Sequence, residues 1–495
     1  MERKPINFLT HFLVSLCCIQ LLSLRPTAAA TTSTQQELLR GFTATPNPDI
    51  STFQSLLVDP SGNYSLGFLR VNKVQLALSV VHLQSSQPLW VANPTSPARW
   101  SEETRVFFHG SLVMSDPHSG VFWSTTGTQG DRVSLSNTSN LEVEKLDGSR
   151  SIIVWQSFDF PSDTLMENQN FTSAMSLVSS NGLYSMRLGS DFMALYARFN
   201  RVSDPDQIYW KHRALQPKAE VIEGGGPIHL VLSSDGYLGM YQNSSTPVDV
   251  QSFNSFQQKG SEVRRVRIEP DGNLKGYYWT GSKWILDYEA ISDPCELPSA
   301  CGSYGLCQPG GMGCSCLDNR TDYNNGGCIS PEVNNSGNFC GGDGDNKYWV
   351  LRRQGVELPY KELMGYEKMG SLAQCESACE DNCTCWGAVY SNSSGFCYML
   401  DYPVQTLVGV RDLSRVGYFK VRESAGKKGV GVGYGIGIGL LCGVVLVFGG
   451  AVGFVLYRVR SRKRGVAGYA EEEVGVGPYK DLGAASFRSI ELSER

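Results

Sequence analysis

Ser61-Gly62-Asn63-Tyr64-Ser65-Leu66-Gly67-Phe68 is the stretch on which the reading of the fold turns. Asp59-Pro60-Ser61-Gly62-Asn63 supplies a turn. Tyr64, Leu66 and Phe68 then alternate with small or polar residues, the period of a strand with one buried face. Leu76, Leu78 and Val80 repeat the alternation, and turn clusters recur at Asn93-Pro94-Thr95-Ser96-Pro97 and Asp116-Pro117-His118-Ser119-Gly120. Long helical periodicity is absent. At an offset of 120 residues Gly62, Tyr64, Ser65 and Trp90 meet Gly182, Tyr184, Ser185 and Trp210. Leu112-Val113-Met114-Ser115 is answered by Leu230-Val231-Leu232-Ser233 at a slightly smaller offset. Two copies of one domain explain this, each an all-β barrel, prism or sandwich.

Of 15 cysteines in the chain, two consecutive sets of six follow the repeat. The first is Cys295, Cys301, Cys307, Cys314, Cys316 and Cys328, with one residue between its fourth and fifth members, the spacing of an EGF-like module. The second is Cys340, Cys375, Cys379, Cys383, Cys385 and Cys397. Cys375, Cys379 and Cys383 fall on one helical face and suit zinc as well as disulfides. Even, closely spaced cysteines favour disulfides and an oxidising, extracellular compartment. No metal or cofactor is expected.

The two ends agree with that compartment. Residues 1–30 read as a signal peptide: Arg3 and Lys4, an apolar run from Phe8 to Leu24, and Ala28-Ala29-Ala30 for cleavage. Val430 to Tyr457 carries no charge and is long enough to span a membrane, and Arg458, Arg460, Arg462, Lys463 and Arg464 place the following segment in the cytoplasm. The expectation is a single-pass type I plasma-membrane protein with its N-terminus outside. Gly431, Gly435, Gly439 and Gly443 lie on one face of the span, where small residues let helices approach. Tyr469, Tyr479, Ser486 and Ser489 are candidate phosphorylation sites in the tail. Asn63, Asn137, Asn170, Asn243, Asn319, Asn334, Asn382 and Asn392 head N-glycosylation sequons, all on the outer side. A net charge of -5 gives no basic field for a nucleic acid. His82, His109, His118, His212 and His229 have no Gly-x-Ser-x-Gly partner, so no enzyme is expected.

Ser61 to Phe68, Leu89-Trp90-Val91-Ala92-Asn93 and Trp155-Gln156-Ser157-Phe158-Asp159-Phe160-Pro161-Ser162-Asp163-Thr164-Leu165 resemble the bulb-type lectin segment of plant S-locus glycoproteins and S-domain (G-type lectin) receptor-like proteins. Asp293-Pro294-Cys295 through Cys301-Gly302-Ser303-Tyr304-Gly305-Leu306-Cys307 resembles their EGF-like module. The Cys375 to Cys397 pattern resembles their PAN/apple module. The resemblance implies a mainly β chain. Its order would be signal peptide 1–30, bulb-lectin-like β-prism 31–170, a second lectin-like domain 171–290, EGF-like module 291–330, α+β PAN module 331–422, transmembrane helix 430–457 and cytoplasmic tail 458–495. It implies the pairs Cys295–Cys307, Cys301–Cys314, Cys316–Cys328, Cys375–Cys397, Cys379–Cys385 and Cys340–Cys383.

Bulb lectins bind mannose through Gln-x-Asp-x-Asn-x-Val-x-Tyr strands. Here Phe107-x-His109-x-Ser111-x-Val113-x-Ser115 and Ser136-x-Thr138-x-Asn140-x-Glu142-x-Glu144 have lost most polar anchors. Glu269-x-Asp271-x-Asn273-x-Lys275-x-Tyr277 keeps the nearest form, so Asp271, Asn273 and Tyr277 are the candidate sugar residues. Asp271-Gly272-Asn273 also reads as a strand-joining turn. The 38 residues after Tyr457 spell no kinase motif. The expected function is a receptor-like glycoprotein that recognises a protein or peptide, as a homodimer or with a receptor kinase acting in trans. The second reading is a glycan or cell-wall binder.

Overall fold

The computed structural model describes residues 35–199, 206–214, 221–258, 263–310, 313–317, 322–324, 327–329, 339–340, 348–422 and 449–458. The signal segment, Gly431, Gly435, Gly439, Gly443 and the four tail phosphorylation candidates lie outside the described residues. Residues 449–458 are helical, and among the described residues no helix is long and apolar enough to cross a membrane.

Three four-stranded antiparallel cores surround the first hydrophobic cluster. One sheet runs Phe53–Val58, Tyr64–Arg70, Gln75–His82, Gln87–Val91, with Ala98–Arg99 added beside Gln75–His82. The next runs Thr43–Ala44, Arg105–Phe108, Leu112–Asp116, Gly120–Ser124. The last runs Glu37–Leu39, Arg132–Leu135, Leu141–Asp147, Arg150–Gln156. The second half repeats this plan: Leu177–Val178, Tyr184–Leu188, Phe192–Ala197, Gln207–Arg213; then Asn170–Phe171, His229–Ser233, Tyr237–Tyr241, Asp249–Ser252; then Thr164–Met166, Arg264–Ile268, Leu274–Trp279, Trp284–Glu289. In both copies the first short strand completes the third sheet, the next completes the second sheet, and the third opens the first sheet. The 120-residue repeat is thus a repeat of topology.

The quoted turn also recurs. Tyr64 N donates to Asp59 Oδ1 at 2.6 Å and Tyr184 N to Ser179 Oγ at 3.0 Å. Gly62 and Gly182 have φ of 74° and 72°, a conformation glycine takes without steric cost.

Strand Thr164–Met166 precedes residue 171, yet it pairs with Arg264–Ile268 of the second prism. Successive side chains point to opposite faces. Leu165 therefore enters the second core while Met166 enters the first.

The fourth strand of each sheet in the first prism carries one tryptophan, and the three meet. Trp90, Trp123 and Trp155 have ring centroids 5.5, 6.0 and 5.7 Å apart, every pair edge to face. That geometry suits the ring quadrupoles. The long string Trp155 to Leu165 serves this junction. Phe160 stacks on Trp155 at 5.7 Å and its carbonyl accepts Trp90 Nε1 at 2.8 Å. Ser157 Oγ accepts Leu141 N at 2.9 Å, and Asp163 Oδ2 accepts Arg267 Nε and Nη2 at 2.9 and 2.7 Å.

His82 of the first prism is buried against Trp279 and Trp284 of the second, at 4.7 and 5.5 Å between ring centroids. Tyr64 packs at 5.6 Å and Ser85 Oγ lies 2.9 Å from Nδ1. Arg265 lies over Trp284 at 4.2 Å, and burial together with Arg267 pulls its guanidinium down to about 10. Burial and then Arg265 lower the His82 pKa. Because the folded value lies below the unfolded one of about 6.5, stability is intact above that pH and is lost as pH falls below it. Thermal unfolding should therefore drop between about pH 7.5 and about pH 5, and drop less in His82→Gln. Equal drops in both proteins would contradict this.

After the two prisms comes a five-stranded sheet, Tyr348–Gln354, Arg415–Arg422, Gly387–Ser391, Phe396–Leu400, Glu367–Lys368, with the helix Leu372–Asp381 against it. Ser371 caps that helix by accepting Gln374 N at 3.3 Å. The hairpin Gly305–Gln308 and Gly313–Cys316 is extended by a parallel neighbour, Leu407–Gly409, and then by Val356–Glu357. One sheet therefore spans the EGF-like and PAN stretches. Phe199 stacks on Tyr360 and Tyr402 at 6.4 and 4.8 Å, fixing this part to the second prism.

Candidate functional site

The twelve clustered cysteines close six bridges: Cys295–Cys307, Cys301–Cys314, Cys316–Cys328, Cys340–Cys383, Cys375–Cys397 and Cys379–Cys385. Cys375, Cys379 and Cys383, the trio with zinc-like spacing, belong to three different bridges. Cys375 and Cys379 are buried on the inner face of their helix, with Cys385 and Cys397 in the same small core. Losing one bridge from so small a module costs about 2 to 5 kcal/mol. Cys379→Ser and Cys385→Ser should therefore be retained in the secretory pathway, as read by glycan maturation and surface labelling. Normal delivery of both would contradict the proposed role of this bridge.

Lys420 was not marked by sequence reasoning. Its side chain is 1% exposed, and Nζ donates to the carbonyls of Cys379 and Asn382 at 2.8 and 3.1 Å. These belong to the helix end, where carbonyls lack partners within the helix and a cation is favoured. The rings of Phe339 and Tyr348 lie 5.4 and 5.2 Å from Nζ. The available signal was one cation within the apolar strand Tyr418-Phe419-Lys420-Val421. Lys420→Met should lower stability by about 1–3 kcal/mol by stranding buried carbonyls, measured by denaturant unfolding.

Asp271, Asn273 and Tyr277 all make internal contacts. Asp271 Oδ1 accepts Asn273 N at 2.8 Å within a turn whose Gly272 has φ of 90°, and Oδ2 lies 3.3 Å from Lys275 Nζ. The Asn273 amide is buried, donating to Ile291 O at 2.7 Å and accepting Ile291 N at 3.1 Å. Tyr277 OH donates to Glu269 Oε1 at 2.8 Å; burial and that carboxylate raise its pKa. The first prism repeats the device. Asn140 donates to Glu142 and Gln156 at 2.8 Å each, and its Oδ1 accepts Phe158 N at 3.1 Å. Glu144 is buried and takes Arg132 Nη2 at 2.7 Å. The pKa of Glu142 is raised by burial and by Glu144. In the remaining stretch His109 N donates to Ser111 O at 3.3 Å around Gly110.

Asn137, Asn170, Asn243, Asn382 and Asn392 are exposed and Asn63 is half-buried, while Asn319 and Asn334 lie outside the described residues. Asn382 sits at the end of the helix, its Oδ1 accepting Thr384 N at 2.9 Å.

Family models match the chain in the order of its modules: D-mannose binding lectin over 88–187, S-locus glycoprotein domain over 234–320 and PAN domain over 352–419. A PAN domain-containing protein of Arabidopsis thaliana is 49% identical over 497 residues, covering 100% of both chains. The chain belongs to the plant S-locus glycoprotein and PAN domain-containing receptor-like family. Two G-type lectin S-receptor-like serine/threonine-protein kinases of Arabidopsis thaliana are also similar to this family member. One is 27% identical over 66% of this chain and 39% of the kinase; the other is 24% identical over 82% of this chain and 52% of the kinase. The chain thus spans about half the length, or less, of these two kinases. As a member of this family it is a mainly β, disulfide-bonded, receptor-like or lectin-like extracellular protein built from binding modules.

Proposed function

We propose that this chain is a single-pass plasma-membrane glycoprotein that recognises a protein or peptide outside the cell and passes the event to a receptor kinase acting in trans. The observation that carries the reading is the order of modules, lectin-like, S-locus glycoprotein and PAN, shared with S-receptor-like kinases. The internal contacts of Asn140 and Asn273 favour a protein over a sugar ligand, because a sugar site needs several polar groups free to face its hydroxyls. Pairing with a second copy belongs to the same reading, and no nucleic acid does. Glycan or cell-wall binding is the second reading, favoured by the survival of Asp271, Asn273 and Tyr277 at the sequence spacing of the lectin motif.

Tagged full-length protein, purified from plant membranes and scored for co-purifying receptor kinases, tests the proposal. Specific recovery of such a kinase is expected. Its absence under conditions that preserve known membrane complexes would overturn the partnership.

A further inference from the structure

A cleft of about 510 Å³ opens where the EGF-like hairpin and the PAN sheet share strands. Two glycines, Gly355 and Gly409, are among the residues that line it. Gly355 has φ of 69°, and a Cβ there would sit 2.8 Å from Val410 O. A Cβ at Gly409 would sit 2.7 Å from Gln308 Oε1, so the Gln308 side chain packs directly on this glycine. Pro309 and Leu413 supply an apolar wall, and Leu413 is 65% exposed although it is a large aliphatic residue.

The charges lining the cleft are of one sign. Arg353 and Arg411 both line it, and both are exposed. Neighbouring cations have acids of their own: Arg352 pairs with Glu376 at 2.8 Å, Lys361 with Glu357 at 2.7 Å, and Arg415 with Glu357 and Asp412. The side chains of Arg353 and Arg411 have no hydrogen-bond or ion-pair partner among the described residues, and no acid is among the residues lining the cleft. Guanidinium groups grip carboxylates by paired hydrogen bonds. A volume within the usual range of ligand pockets, beside an exposed leucine, accommodates an aliphatic side chain next to the anion.

We infer that this cleft binds an acidic peptide segment, with side-chain carboxylates on Arg353 and Arg411 and an adjacent aliphatic side chain against Leu413 and Pro309. The inference rests on the reading of the chain as a peptide-recognising ectodomain and names where that recognition occurs. Both modules contribute walls, so the sheet pairing of Leu306 with Leu407 is what forms the cleft.

The test uses full-length protein in detergent and a library of nonapeptides with a fixed Leu-Glu-Glu core, beside libraries carrying Leu-Gln-Gln or Leu-Lys-Lys and a heparin-derived oligosaccharide. Saturable binding of Leu-Glu-Glu peptides alone is expected. Charge-assisted hydrogen bonds of this kind predict about tenfold weaker binding in Arg353→Ala or Arg411→Ala and roughly 100-fold weaker binding in the double variant. Leu413→Ser, which keeps both arginines, should weaken binding while leaving its salt dependence unchanged. Equal binding of Leu-Gln-Gln peptides, preferential binding of the oligosaccharide, or full binding by a correctly delivered double variant would each overturn the inference. Kinase co-purification is scored on the same variants. A kinase recovered without acidic-peptide binding would sink the cleft and leave the proposed function standing.

Discussion

Asp287→Ala should lower the stability of the second prism by about 3–5 kcal/mol, the cost of leaving a buried charge without its partner. Arg264 and Asp287 each have 3% of their side chain exposed, with Nη1 to Oδ2 at 2.8 Å. Arg264 also donates to Ser255 Oγ and Ser234 O at 2.7 and 3.0 Å, and Asp287 Oδ1 accepts Ser255 N at 2.9 Å. The network ties the third sheet of the second prism to the hairpin turn at Ser234 within the second sheet and to the segment at Ser255 that follows that sheet. Removing the acid strands a guanidinium that has no route to water. Arg264→Met combined with Asp287→Leu removes both charges and should recover most of the loss. Thermal and denaturant unfolding of both variants measures this. A single variant as stable as the parent would show that the pair is not buried as described.

Trp90→Ala should have an effect of similar size, about 3–5 kcal/mol, because a large buried ring is replaced by a cavity. The loss extends beyond the ring itself. Trp123 and Trp155 each lose one of their two edge-to-face partners in the trio, and the Phe160 carbonyl loses its indole donor. Trp90 comes from the first sheet and Phe160 from the connection into the second prism, so the variant should loosen the junction as well as the core. Trp90→Phe fills most of the space and should recover roughly half of the loss. Near-ultraviolet circular dichroism combined with unfolding reads both effects. An unchanged spectrum and midpoint for Trp90→Ala would remove the tryptophan trio from the account.

The repeat was legible because its signals are local. Asp59 to Tyr64 and Ser179 to Tyr184 each close a turn within six residues, and alternation of apolar residues marks the strands on either side. What joins distant parts of the chain was not. Nothing in the run Thr164-Leu165-Met166 says that its neighbours face different cores. Trp90, Trp123 and Trp155 lie too far apart in sequence for periodicity to bring them together. The pairing of Leu306 with Leu407, which builds the cleft, joins two stretches that the cysteine pattern assigns to separate modules. The cysteine pairs were readable only through the family resemblance, since spacing alone leaves many connectivities open. For the sugar stretch the sequence offered two uses of Asp271 and Asn273. The structure shows their contacts, with one closing a turn and the other holding the main chain of Ile291.

The proposed function makes recognition by this protein one of protein and not of mannose-type sugar. A glycan array probed with the purified protein tests it most directly. The account predicts no saturable binding to mannose-type glycans, and the same blank result for Asp271→Ala and Asn273→Ala. Saturable mannose binding by the parent protein, lost in either variant, would contradict it and make the second prism a working lectin.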